Sequence, residues 1–258
     1  MGSRVHRFMG SRVHRFAGSR VHPLGFAVRG GAILIVAWLL ATRADAAARS
    51  VSFHTDDGVA LEGLWYEPPA RGPAVILIHM LHRSRKDWEP LASRLSGEGF
   101  GVLAFDLRGH GESGGSVPSD GQYTAFLQDV TAARRFVSAR SDVVPSRIAL
   151  IGASVGGNLA VLDAAARPGV TAIALLSPSI DYRGLRIDAA VRKYSGPLLL
   201  VAADDDPYAT RSTREIVKAG GGRRETLLLS RAGHGTTMLA RSPDLVRALV
   251  DWVRKTLI

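Results

Sequence analysis

Cysteine is absent from the 258 residues. That excludes a thiolate nucleophile, Cys-ligated zinc, iron–sulfur clusters, disulfides and a lipidated-cysteine anchor. It leaves the compartment open, because an exported protein can manage without disulfides. Lysine is almost missing as well. Lys86, Lys193, Lys218 and Lys255 are the only lysines among 33 basic side chains, which reads as coding bias rather than a binding patch. The net charge of +10 is concentrated in one place. Residues 1–46 hold Arg4, Arg7, Arg12, Arg15, Arg20, Arg29 and Arg43 against Asp45 alone, a balance of +6 that leaves +4 for the rest. A nucleic-acid partner is therefore not expected. Long apolar runs are missing too. Gly30–Ala41 is 12 residues, about 18 Å as a helix against a hydrocarbon core of about 30 Å. What remains is ordinary, with 46% hydrophobic and 22% charged residues. Collagen-like, disordered and disulfide-scaffold classes fall away, and one large α/β core of roughly 200 residues needs no staple.

Three near-copies of an octapeptide open the chain: Met1–Phe8, Met9–Phe16 and Ala17–Leu24. Their period is too short for a solenoid unit, which takes about 20 residues or more. After this repeat come Arg29, the apolar Gly30–Ala41, Arg43 and two A-x-A exits, Ala44–Ala46 and Ala46–Ala48. A charged stretch, a short apolar stretch and a small-residue exit are the parts of a secretory signal peptide. The reading is a leader over residues 1–48, touching the membrane only in transit, and a secreted or periplasmic domain over 49–258. An uncleaved N-terminal anchor is the alternative.

From Ser50 on, strand and helix patterns alternate. Strand-like runs are Val51–His54, Val59–Tyr66, Ala74–His79, Gly101–Phe105, Arg147–Ile151, Thr171–Leu176, Pro197–Ala202 and Glu225–Leu229. The middle runs are continuously apolar, as in parallel strands buried on both faces. Helix-period stretches lie between them at Trp88–Gly97, Tyr123–Ala139, Val155–Ala166, Arg211–Ala219 and Pro243–Thr256. This alternation predicts a single α/β domain. Its sheet is mostly parallel and doubly wound, with about eight strands, the first of them forming an antiparallel edge.

The sharpest local signal is Arg147–Gly157, RIALIGASVGG. An apolar strand runs into Gly152-Ala153-Ser154-Val155-Gly156, and an Ala/Leu-rich helix follows. This is G-x-S-x-G in the strand–turn–helix setting that lifts a serine oxygen above a sheet. A serine hydroxyl needs a base, itself held by a carboxylate. In this architecture the chain order is Ser, acid, His, and His234 is the one histidine after Ser154. It stands in a Gly-rich loop after the last strand run, free to hang over the sheet edge. The acid must follow Leu198–Ala202, where Asp204, Asp205 and Asp206 stand in a row.

Residues 50–258 resemble the α/β-hydrolase superfamily, particularly its small dienelactone-hydrolase-like serine esterases. Asp106–Ser113 is similar to the D-x-R-G-H-G-x-S segment after the fourth strand, Gly152–Gly156 to the nucleophile elbow, and Ala232–Gly235 to the histidine loop. The resemblance implies catalytic roles for Ser154, Asp206 and His234, with Asp205 the alternative acid. Pro207 restricts Asp206 to an extended backbone, so that Asp205 is expected to point to the opposite side. The same resemblance gives His110 a structural role beside the site. It also implies oxyanion donors at the Leu81 and Val155 amides, with Met80 the alternative to Leu81. Two departures stand out. Met80 replaces the glycine that usually follows the histidine of this segment, and is expected to narrow the acyl pocket. The nucleophile is serine where true dienelactone hydrolases use cysteine, which argues against dienelactone as substrate.

Only Ser179–Ser195 separate Ser177-Pro178 from Gly196-Pro197, where many relatives insert a cap. Seventeen residues make a helix and two turns but no cap domain, so the site is expected to be open. Tyr182, Arg183 and Tyr194 are expected in surface packing, with a place at the cleft edge the alternative. The expected activity is an exported serine carboxylesterase acting on a small-molecule ester, with no metal and no cofactor. A peptidase or acyltransferase on the same triad, or a non-catalytic hydrolase-fold binding module, are the alternatives.

Overall fold

Alternation along each buried apolar run divides it between two cores. Ile76 and Ile78, Leu103 and Phe105, Leu150, Ile173 and Leu175, and Leu198 and Leu200 point to one side. Val75 and Leu77, Val102 and Ala104, Ala149 and Ile151, Leu176, and Leu199 and Val201 point to the other. A strand with no polar face has to be covered twice, and two helical layers do so.

The computed structural model describes residues 48–258. The stretch expected to be a leader, with its repeat and its apolar run, lies outside the described residues up to residue 47. In chain order the elements begin with strands β1 (Arg49–His54), β2 (Ala60–Tyr66) and β3 (Gly72–Ile78). A 3-10 turn at Arg85–Trp88, helix α1 (Glu89–Gly97) and strand β4 (Gly101–Phe105) follow. Then come helix α2 (Phe126–Ser138), strand β5 (Val143–Ala153), helix α3 (Val155–Ala166) and strand β6 (Ala172–Leu176). A short hairpin, β7 (Asp181–Tyr182) and β8 (Leu185–Arg186), leads into α4 (Asp188–Lys193). The chain ends with β9 (Leu198–Ala203), α5 (Pro207–Lys218), β10 (Arg224–Leu229), α6 (Thr237–Arg241) and α7 (Pro243–Leu257).

The eight-stranded sheet has the order β1-β2-β4-β3-β5-β6-β9-β10. β2 runs antiparallel to both of its neighbours, and the pairs from β4 across to β10 are parallel. Side chains of α2, α3, α4 and α5 fill one core, and those of α1, α6 and α7 the other. The strand order reverses around β3 and β5. Loops leaving the C-terminal ends of parallel strands near such a point gather ligands. Those ends carry His79–His82, Asp106–Ser113, Ser154, Ser177, Asp204–Asp206 and His234.

Residues 179–195 form the β7–β8 hairpin and α4, with no cap domain. Two expectations need correction. Tyr194 is buried in the core rather than packed on the surface. Helix α5 starts at Pro207, four residues before its apolar pattern does, because Asp206 caps it and Pro207 occupies the first position, where no N–H is needed. Among the described residues no helix is long and apolar enough to cross a membrane.

Candidate active site

Ser154 sits between β5 and α3 with φ +51° and ψ −119°. A non-glycine residue rarely takes this region, and here neighbouring contacts hold it. The Ser154 N–H donates to Leu176 O on the adjacent strand at 2.8 Å, and Ser154 O accepts from Gly157 N at 2.9 Å. The glycines of the motif are spatial requirements. A Cβ on Gly152 would lie 2.2 Å from Gly156 O, and one on Gly156 would lie 2.3 Å from Ile78 O. The start of α3 is thereby pressed against the end of β3, next to the Met80–Leu81 segment. The Leu81 and Val155 amides have no hydrogen-bond partner among the described residues.

His234 donates from Nδ1 to Asp206 Oδ2 at 2.6 Å. The carboxylate only accepts, so Nδ1 carries a proton, and in the neutral ring Nε2 then has the lone pair. No hydrogen bond among the described residues engages Nε2, and the side chain is 48% exposed over an 11% exposed Asp206. The histidine loop lies against the elbow. A Cβ on Gly235 would be 3.6 Å from Ala153 Cβ and 2.4 Å from Met80 Sδ. Gly235 therefore lies against both Met80 and the residue before Ser154. Ser154 Oγ and His234 share no hydrogen bond, and such contacts often tighten only when substrate is bound.

The loop is braced rather than loose, contrary to expectation. Gly235 N donates to Ser177 Oγ at 2.9 Å, His234 N to Thr237 Oγ1 at 3.1 Å, and Gly233 N to Asp205 Oδ1 at 2.9 Å. Asp204 accepts from Arg231 N at 2.6 Å and from Ser230 Oγ at 3.1 Å. Asp205 thus faces the histidine loop, not the opposite side. The segment is a turn closed by Asp206 N on Ala203 O at 3.0 Å, so the side-chain alternation of an extended chain does not apply. Asp206 alone meets the ring, and its other oxygen accepts from Ala209 N at the start of α5. The bracing by Ser177, Thr237, Asp204 and Asp205 is missing from the sequence reading. Apart from the local Thr237 bond, it consists of contacts between distant segments, for which a single chain carries no periodic signal.

Two buried histidines flank the site in a different state. His79 Nδ1 donates to Met80 O at 2.8 Å while Nε2 accepts from Leu107 N at 2.9 Å. His110 Nδ1 donates to Arg108 O at 2.9 Å while Nε2 accepts from His82 N at 3.1 Å. Burial holds His79 neutral, with its pKa lowered to about 4, and lowers His110 as well. Neither ring has a nitrogen left for proton transfer. Below them, buried Asp106 accepts from Arg85 N at 2.6 Å and Glu112 N at 3.0 Å and pairs with the Arg85 guanidinium. The loops after β3 and β4 are tied together there. Tyr182 and Arg183 lie off the site, Tyr182 against Tyr123 and Arg183 on Asp120.

Residues 69–185 match the family described as serine aminopeptidase, S33. An uncharacterised protein of Mycobacterium tuberculosis strain H37Rv is 32% identical over 235 residues, 82% of this chain and 79% of that one. The uncharacterised YfhR of Escherichia coli K12 is 36% identical over 143 residues, 52% of this chain and 49% of its own. In fold, an esterase of Pyrococcus furiosus superposes with a TM-score of 0.71 at 19% identity, covering 82% of this chain and 92% of that one.

Proposed function

Because this chain belongs to the α/β-hydrolase superfamily, we propose that it is a serine hydrolase that cleaves carboxylic esters through an acyl-enzyme. The observation that carries the reading is the Asp206–His234 hydrogen bond beside the elbow, which leaves Nε2 basic and unengaged. His234 Nε2 takes the Ser154 proton as Oγ attacks the ester carbonyl. The resulting imidazolium lies against the Asp206 carboxylate, and the new oxyanion faces the Leu81 and Val155 N–H groups. Each such donor contributes about 2.7–4 kcal/mol to the transition state. Collapse expels the alkoxide, which takes the proton from His234. A water activated by the same nitrogen then hydrolyses the acyl-enzyme and restores Ser154.

An ester rather than an amide is favoured by the likeness to the Pyrococcus furiosus esterase. Cleavage of an amino-terminal peptide bond is the second reading, supported by the family description. The test is fluorophosphonate labelling with peptide mapping, followed by matched ester and amide substrates of graded acyl length. Label on Ser154, with Ser154→Ala inactive but folded, is the expected result. Label on any other residue would sink the reading, and faster amide turnover would replace esterase by peptidase. The leader supports export of the domain, with cleavage near Ala46 or Ala48.

A further inference from the structure

We propose that His79 is a positioning residue that holds the oxyanion hole in its formed state by fixing the Met80–Leu81 peptide. The inference rests on Leu81 being an oxyanion donor. In a trans peptide the carbonyl and the following N–H are coplanar and point in opposite directions. Whatever holds the Met80 carbonyl therefore also aims the Leu81 N–H. His79 Nδ1 donates to that carbonyl at 2.8 Å. The ring cannot drift with its partner, because Nε2 is tied to Leu107 N at 2.9 Å and the side chain is fully buried.

The local chain needs such a lock. The ladder of β3 ends at Ile78, so neither Met80 nor Leu81 is held by a strand. The other donor to Met80 O is Arg83 N, at 3.2 Å, closing a turn through His82 at φ +59°. That bond depends on a residue in the left-handed region, which is available to histidine at some cost. With the His79 bond gone, the longer Arg83 bond alone holds the Met80 carbonyl, and the peptide rotates once that bond breaks. Rotation would turn the Met80 carbonyl toward the space that the oxyanion occupies and remove the Leu81 donor together. His79 thereby acts on the reaction without touching substrate.

Two near-isosteric variants of the full-length protein separate its two bonds. The side-chain amide introduced by His79→Asn reaches the place of Nδ1 and donates to Met80 O. The longer amide introduced by His79→Gln reaches the place of Nε2 and serves Leu107 instead. His79→Gln is expected to lower kcat by tenfold or more, up to the 10²–10³ of an outright lost donor. KM should stay within about threefold, since only transition-state binding is lost. Affinity for a trifluoromethyl ketone of the acyl group should fall by the same factor as kcat. His79→Asn is expected to keep kcat within about threefold. If both variants fall together in step with their melting temperatures, His79 is merely structural and the inference is overturned. Should neither variant fold, the 15N histidine spectrum of the wild-type protein decides. The Nδ1–H tautomer, and a Leu81 amide shift when the ketone binds, are expected. An Nε2–H tautomer or an unmoved Leu81 amide would overturn the proposal. Fluorophosphonate labelling of the wild type separates the two levels. A label away from Ser154 overturns the serine-hydrolase reading and this inference with it, whereas a label on Ser154 with parallel variants overturns this inference alone.

Discussion

At His234 one nitrogen is committed to Asp206 and the other is unengaged, whereas His79 and His110 use both nitrogens in backbone bonds. Proton transfer needs the unengaged kind. Asp206 carries two tasks, orienting that ring and capping α5, and substitution separates them. Asparagine caps a helix as well as aspartate, so Asp206→Asn is expected to keep the melting temperature while kcat drops by about 10⁴, as when the wrong imidazole tautomer is allowed. Asp206→Ala should lose in addition about 1 kcal/mol of stability in urea unfolding. Asp204→Asn and Asp205→Asn keep an acceptor oxygen for the Arg231 and Gly233 amides, and less than about tenfold loss of kcat is expected of each. If Asp205→Asn were the inactive variant, Asp206 would not be the orienting acid. Buried His79 makes a second prediction, on pH. Its folded pKa of about 4 lies below the ordinary 6.5, so between these values the unfolded chain binds the extra proton. Stability is therefore lost as pH falls from about 6.5 toward 4, by up to about 3 kcal/mol from this group. Urea unfolding at pH 7 and 4.5 should show that loss reduced in His79→Asn; an equal loss in both proteins would refute it.

Helix α3 is set by what its first turn lacks. A methyl group on Gly156 would meet backbone oxygens of Ile78 and His79 at 2.3 and 2.7 Å, and backbone cannot swing aside as a long side chain can. Gly157 is one residue on, and its nearest contact would be 3.3 Å. Gly156→Ala is accordingly expected to cost about 3 kcal/mol or more, the upper range of overpacking. Gly157→Ala should fall within about 1 kcal/mol of wild type, because helix propensity favours alanine. Chemical unfolding of the two variants checks this, and equal stabilities would mean that the α3–β3 approach is looser than described. The same close approach sets the first turn of α3 against the end of β3, which leads into Met80 and Leu81.

For the whole molecule, the proposed export makes a mass prediction. The secreted or periplasmic protein should begin within a few residues of Ala46 or Ala48, as read by intact-mass spectrometry; a mature chain that retains Gly30–Ala41 would identify an anchor instead. Within the domain, the apolar runs and helix periods were legible one element at a time, because burial on two faces leaves no polar positions in a strand. That determined the α/β class and the near-eight strands, while the short span of 179–195 gave the missing cap and the G-x-S-x-G motif the serine elbow. Its small residues record a close approach of helix and strand. His234 followed from chain order and from being the one histidine after the elbow. Short elements were not legible: α4, α6 and the β7–β8 hairpin have too few residues to show a period. The register of the three aspartates was open for a related reason, since a run of like residues in a turn differs only in where each side chain points. The tertiary structure decided that. It closed the turn at Ala203–Asp206, set Asp204 and Asp205 on backbone amides of the histidine loop, and left Asp206 on the ring. It also decided which histidines are spent on backbone bonds, because the amides that consume them belong to Leu107 and His82. Pattern along a chain reports burial and local conformation. Which hydrogen-bonding groups meet across loops is settled only when the strands that carry them are brought side by side.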